Sequence, residues 1–150
     1  LIPVNMYGEH DHFDLESSHV IPALIRKFHE AKKYNLGEVM VWGDGSASRE
    51  FLYAGDCANA IALALESYNS GEPVNIGTGA EITIKDLITK IANMVGFEGQ
   101  VIYDGSRPNG QPRRCLDTTR ALDGFGFKAQ VSLDEGLQKT YNWYIKNVTN

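Results

Sequence analysis

The sequence is short of the features that announce a self-sufficient chemistry. Its 150 residues hold two cysteines, Cys57 and Cys115, too few for a disulfide framework and not spaced as Cys-x-x-Cys. They read as free thiols of a reducing, cytoplasmic compartment, or as one disulfide. No apolar run nears the ~20 residues that cross a bilayer, and no signal peptide is visible, so no membrane partner is expected. Lysine and arginine are outnumbered 14 to 19 by acidic residues, leaving a net charge of −5. That balance argues against nucleic acid as a partner, because a general grip on it needs a basic face. It leaves open a phosphorylated small molecule, for which a few arginines suffice.

Sequence motifs for cofactor chemistry are missing too. A dinucleotide loop needs Gly-x-Gly-x-x-Gly between a strand and a helix, so that backbone amides reach the pyrophosphate. Gly77-Thr78-Gly79 follows a strand but has Ile82 where the third glycine would stand, and Gly43-Asp44-Gly45 has Ser48. Both read as tight turns. None of the seven tyrosines is followed four residues later by lysine, and no P-loop or Gly-x-Ser-x-Gly occurs. Alone, the chain has no visible means of moving a hydride.

What is present is a soluble-type composition, 43% hydrophobic and 22% charged, at a length that supports a sizeable core. Leu1 to Met6 reads as a strand, and a strand at position one suits the interior of a larger fold. Polar residues 9–18 read as a loop, with Ser17 or Ser18 capping a helix whose first turn holds Pro22. Val20, Ile21, Leu24, Ile25 and Phe28 then recur at helical spacing to about Tyr34. Strands are expected at Val39–Trp42, Glu50–Tyr53, Pro73–Ile76 and Gln100–Tyr103. Helices are expected at Asp56–Tyr68, after Thr83 (a capping-box variant with Asp86), and from Ser132 to about Asn147. Residues 105–114, with Pro108, Gly110 and Pro112, read as a loop. Strands alternate with helices, so the class is α/β, in one unit over residues 1–150.

Four stretches resemble one known group of enzymes. They are NMYGEHDHFDLESSHVIPALIRKFHEAK, VWGDGSASREFLY, VNIGTG, and the segment from Tyr103-Asp104-Gly105 to Arg113-Arg114. In order and spacing they are similar to GDP-L-fucose synthases, NADPH-dependent members of the extended short-chain dehydrogenase/reductase family. The Asn-x-Tyr-Gly and Arg-Glu-Phe patterns are widespread in that family, whereas Ser-His-Val-Ile-Pro-Ala-Leu is more specific. The resemblance implies an α/β fold forming the C-terminal, substrate-binding portion of a Rossmann-type enzyme that lacks its Gly-rich cofactor-binding half. Leu1 to Met6 would then be the last part of the dinucleotide-binding sheet. The reaction implied is 3,5-epimerisation and NADPH-dependent 4-reduction of GDP-4-keto-6-deoxy-D-mannose. NADP would be held by the full-length enzyme and not by this chain alone. The implied partners are the GDP-sugar, the missing N-terminal half and a second copy in a homodimer.

The resemblance also assigns residues. Pro3, Val4, Asn5 and Met6 would line the nicotinamide side. His19 would touch the cofactor and serve as the catalytic acid, a role suited to an imidazole of pKa ~6.5. The alternative is that His19 merely caps the helix. Lys27, Trp42, Arg49, Asn109 and Arg114 would bind substrate. Arg49 offers a guanidinium fork for a diphosphate, or else pairs with neighbouring Glu50. Trp42 faces the nucleotide sugar, or else packs in the core. Lys27 stands where the family often has arginine, Asn109 where it often has aspartate, and Arg114 where it often has lysine. His10-Asp11-His12 invites a metal reading, but no further ligand cluster follows and a loop is expected. Two other functions fit more loosely: another nucleotide-sugar epimerase or dehydratase, and a non-catalytic binding or dimerisation module. The Leu1 strand and the helix after Asp56 should expose apolar faces and make the isolated chain self-associate.

Overall fold

The computed structural model describes residues 1–106 and 109–149. Pro108, expected in a loop, lies outside the described residues. The elements are β1 (Ile2–Pro3), β2 (Asn5–Tyr7), α1 (Val20–Lys33), β3 (Glu38–Trp42), β4 (Ser48–Tyr53), α2 (Ala54–Ser67), β5 (Asn75–Ile76), β6 (Glu81–Thr83), α3 (Ile84–Val95), β7 (Gln100–Asp104), β8 (Arg113–Arg114), α4 (Thr119–Phe125) and α5 (Leu133–Asn147). The α/β class holds. The single strand expected over Leu1–Met6 is two. β1 pairs in parallel with β5, and β2 in parallel with β4, with the chain breaking at buried Val4.

Strand β4 organises the centre. It pairs with β2 along Phe51–Tyr53, with antiparallel β6 along Ser48–Glu50, and with parallel β8 at Ser48 and Arg49. A separate parallel pair, β3 and β7, aligns Val41 with Tyr103 and Trp42 with Asp104. Alternation along β3 buries Val39 and Val41 and turns Glu38, Met40 and Trp42 outward, as the two-residue period of a strand requires.

Helix starts follow local chemistry. Thr83 caps α3 by accepting from the Asp86 amide, and Ser132 caps α5 by accepting from Glu135. Neither Ser17 nor Ser18 caps α1, contrary to expectation. Asp14 draws the preceding residues into a separate turn instead: its carboxylate accepts from the Glu16 and Ser17 amides and the Ser17 hydroxyl, folding residues 14–17 on themselves. The N-cap position falls to His19, which contributes its backbone carbonyl to Ala23 but no side-chain bond.

Two apolar clusters form the core. The larger joins α1, α3 and α5 around Ile21, Ile25, Phe28, Leu87, Ile91 and Leu137. Full burial of side chains of this kind stabilises by about 1.5–3 kcal/mol each. The smaller joins Val4, Leu52, Ala60, Val74, Ile76, Phe125 and Phe127. Between them, Glu50 is wholly buried, and its carboxylate accepts from the Thr78, Gly79 and Leu116 amides. This explains the Gly77-Thr78-Gly79 turn. It is a backbone nest for the chain's own carboxylate, and a Cβ at Gly77 would collide with Glu50 Oε1. Both cysteines are free.

Candidate functional site

Three cavities lie in a row along one side of this framework. The central one, about 280 Å³, is lined by Asn5, Met6, His19, Val20, Ile21, Pro22, Trp42, Arg49, Phe51, Ile84 and Asn109. A second, about 450 Å³, runs along residues 3–11 and also takes in His19, Ala54 and Arg114. It shares Asn5, Met6 and His19 with the first. The third, about 260 Å³, opens behind Trp42 and includes Lys27.

The fold thus gathers most of the residues singled out from the sequence. Asn5 is oriented by donating from Nδ2 to the Glu50 carbonyl, 3.1 Å away. His19 is exposed on the wall between the first two cavities, where the uncapped amino end of α1 meets the strand ends. Trp42 is 63% exposed, so the core-packing alternative is excluded. Arg49 and Glu50 do not pair. Successive residues of β4 point to opposite faces, Glu50 into the nest and Arg49 into the central cavity, where its Nη1 donates to the Ser48 carbonyl at 2.7 Å.

Asn109 holds the rim. Its Oδ1 accepts from the Asp44 amide at 2.9 Å and sits where a Cβ on Gly43 (φ +77°) would be, which is why that turn needs glycine. Hydrogen bonds from Ser46 and then Asn109 hold the exposed Asp44 carboxyl below its ordinary range. Asparagine here avoids placing a second carboxylate against Asp44.

Two expected neighbours sit elsewhere. Arg114 is the register partner of Arg49 on adjoining strand β8, but it is exposed and lines the second cavity. Lys27 faces the third. Its Nζ donates to the Met40 carbonyl at 3.2 Å, lies 5.8 Å from the Trp42 ring centroid, and is held below the usual lysine range by burial. Of residues 3–6, Pro3 is exposed beside Ile76, and Val4 directs its side chain into the smaller core.

The histidine pair of the loop is occupied differently from a metal site. His10 stacks obliquely on Trp143 at 4.7 Å, and His12 bonds the Ser17 hydroxyl at 2.9 Å. Burial raises both thiols, so neither is an activated nucleophile near neutral pH. Among the described residues no helix is long and apolar enough to cross a membrane.

Sequence reasoning missed the walls. Ile21, Pro22 and Ile84 read as helical core positions, and nothing in their spacing told that the first turns of α1 and α3 open onto a cavity. It also missed Glu50. The signal available was a glycine turn after a strand with no ligand motif, which left its amides in need of an anion.

Comparison with known proteins places this arrangement. The chain is 48% identical over 149 residues to GDP-L-fucose synthase 1 of Arabidopsis thaliana, with 99% of this chain and 46% of the relative covered. It is 44% identical over 156 residues to GDP-L-fucose synthase of Escherichia coli strain K12, with 98% and 48% covered. The chain therefore spans about half the length of the curated relatives it matches. Its fold is similar to that of a GDP-L-fucose synthetase from Naegleria fowleri bound to NADP, with a TM-score of 0.92, 27% identity, and 100% of this chain and 47% of the other covered. Residues 1–77, which carry β1 to β5 and so His19, Trp42 and Arg49, match the profile of one family, and the chain belongs to it: the NAD dependent epimerase/dehydratase family.

Proposed function

We propose that the chain is the nucleotide-sugar side of a GDP-L-fucose synthase, acting on GDP-4-keto-6-deoxy-D-mannose with NADPH, and that it does not turn over substrate without the other half of such an enzyme. The observation that carries this reading is the central cavity, where Arg49, Trp42, Asn109 and His19 converge beside the ends of parallel strands, in a chain 44–48% identical to enzymes of that name.

Arg49 binds a diphosphate. Its Nε and Nη2 have no hydrogen-bond partner among the described residues, and a guanidinium fork matches phosphate oxygens. Trp42 supplies a flat apolar wall to the nucleotide sugar. Asn109 keeps the residue 43–45 turn in place and so sets the rim. Inversion beside a ketone needs one group to remove a proton and another to return it on the opposite face; His19 returns the proton to the ring carbon. Residues 3–6, His19 and Arg114 fit the nicotinamide side of NADP, since they wall a cavity continuous with the central one. No Gly-rich loop in this sequence holds the pyrophosphate, which falls to the missing half. When bound, NADPH supplies the hydride for reduction of the ketone. The whole enzyme works as a homodimer.

Calorimetric titration of GDP, UDP and dTDP into the chain tests this. GDP-selective binding is expected, weakened at least ~10-fold in Arg49→Ala, the scale of a lost charge-assisted hydrogen bond. Equal or absent binding of all three, or indifference to Arg49→Ala, overturns the reading.

A further inference from the structure

Arg49 enters the central cavity from strand β4, and its aim depends on what holds β4 there. At Ser48 the strand is flanked on both edges at once, by Thr83 of β6 and by Arg113 of β8. β8 is two exposed residues long, and so short a strand has little hold of its own. Just before it, the Pro112 carbonyl accepts from the Ser48 amide at 2.9 Å.

A side-chain buckle completes the attachment. Arg113 Nε donates to both Glu81 oxygens, at 2.9 and 3.0 Å, and the Ser48 hydroxyl donates to Glu81 Oε2 at 2.8 Å. Glu81 and Arg113 belong to the two strands that flank β4, so their ion pair reaches across the face of β4 that carries Ser48 and Glu50. Arg49 leaves from the opposite face, and its Nη1 donates to the carbonyl of the same Ser48 at 2.7 Å. Ser48 therefore joins the buckle on one face to the guanidinium on the other.

Charge accounts for the pairing. Glu81 stands opposite Glu50 in the β4–β6 register, and like charges placed so are destabilising. Glu50 is satisfied by backbone amides, and Glu81 by Arg113 and Ser48. Bonds from Arg113 and then Ser48 hold the Glu81 carboxyl below its ordinary range, so it is ionised at neutral pH. The segment leading into β8 also lies against Arg49: a Cβ on Gly110 (φ +70°) would sit 3.4 Å from Nη2.

We propose that Glu81 and Arg113 are positioning residues for the diphosphate, clasping β8 to β4 so that Arg49 keeps its aim into the central cavity. The proposal rests on the GDP-sugar function proposed above and deepens it. Neither residue lines that cavity. Their pair is exposed (Arg113 69%, Glu81 32%) and so adds little to stability.

Calorimetric titration of GDP into Glu81→Gln, Arg113→Met and Ser48→Ala tests this, because positioning and plain charge attraction predict different signs. Acting through charge alone, loss of the Glu81 carboxylate would strengthen the binding of an anion, and loss of the Arg113 guanidinium would weaken it. As positioning residues, each should weaken GDP by about 3- to 10-fold when replaced, the scale of a misplaced hydrogen bond. The two changes combined should cost no more than either alone, since they break one link. Ser48→Ala removes only the bridging hydroxyl and should weaken GDP ~2-fold. Melting temperatures should stay within ~4 °C of wild type, the scale of an exposed ion pair. Glu81→Arg with Arg113→Glu rebuilds the pair in reverse and should bring affinity back to within ~3-fold of wild type. GDP bound by Glu81→Gln as tightly as by wild type, or more tightly, overturns the positioning role and leaves the GDP-sugar reading standing. A wild type that binds no GDP overturns both.

Discussion

Helices α2 (14 residues) and α3 (12 residues) are close in length and both carry aliphatic side chains, yet they end in opposite environments. α3 buries Leu87, Ile88, Ile91, Ala92 and Val95 against α1 and α5. α2 buries only Asp56, Cys57 and Ala60, and leaves Ile61 at 48% and Leu65 at 82% exposure. Beside it, β1 and β5 form a parallel pair of two residues each, with Leu1 and Ile2 open to solvent. Parallel strands are ordinarily covered on both faces. The difference teaches that apolar content says where a face wants cover, while the cover itself comes from whatever the chain brings to it. The sealed side builds its own; the α2 side offers a surface that another unit would close. The sharpest way to break the comparison is truncation on each side. Ile91→Ala should cost about 2–5 kcal/mol in urea unfolding, because it opens a cavity in close-packed core. Leu65→Ala, on the open side, should stay within ~0.5 kcal/mol. Equal losses would mean that the two sides are equally packed.

The next largest effect lies at the seam between the two clusters. Glu50 joins them by satisfying amides from residues 78, 79 and 116. Glu50→Gln keeps the shape but replaces one acceptor with a donor facing a donor. The expected loss is about 1–3 kcal/mol in thermal or urea unfolding. Because Glu50 points away from the central cavity, the GDP binding proposed for that cavity should be retained at temperatures where the variant is folded. A variant that is stable but no longer binds would make Glu50 part of the binding machinery instead.

Much of this was legible in the sequence, and the limits are physical. Periodicity located α1, α3 and α5 because each has an apolar stripe, and α3 and α5 add a side-chain cap, Thr83 (with left-handed Gly96 at the other end) and Ser132. It missed α4, seven residues with Gly124 inside and no side-chain cap, which forms because Ala121 and Phe125 dock on the smaller core. It missed β6 and β8, whose few residues become strands only by meeting β4 from far along the chain. At the site, residue types were readable and neighbourhoods were not. Lys27 and Arg49 both read as substrate ligands; only the packing of α1 on β3 sends Lys27 behind Trp42. Likewise a serine next to a predicted helix start looks like a cap, and the turn made by Asp14 withdraws both candidates from that duty.

A smaller effect should separate the two sides by pH. His29 belongs to the sealed side, bonded at Nδ1 to the Tyr141 hydroxyl at 3.2 Å, with the Tyr144 ring 5.4 Å away. Burial first, and the charge of Lys33 second, push its imidazole below the ordinary 6.5. The unfolded chain therefore binds the proton more readily than the folded one. Stability is full above pH ~6.5 and falls as pH drops from there through the lower folded value. His29→Gln should flatten that part of the stability–pH curve. A slope unchanged by the substitution would move the pH dependence to other groups.

The smallest change in folding free energy should accompany the largest change in association. Leu65→Glu places a carboxylate on the exposed face of α2, next in sequence to Glu66 and one turn from Ile61, and breaks no buried contact. Its unfolding free energy should match wild type within ~0.5 kcal/mol. Contiguous apolar surface favours self-association, so the wild type should sediment as dimers or larger species at micromolar concentrations, and Leu65→Glu should shift it toward monomer. The same charge on the sealed side, as in Ile91→Glu, would instead unfold the protein, since burying an unpaired carboxylate costs several kcal/mol. If Leu65→Glu leaves the sedimentation profile unchanged, the open face is not the adhesive one and the contrast between α2 and α3 has no consequence in solution. If it yields a monomer that still binds GDP, the surface around α2 and the cavity at Arg49 are separable: one joins the chain to its neighbour, and the other reads the ligand.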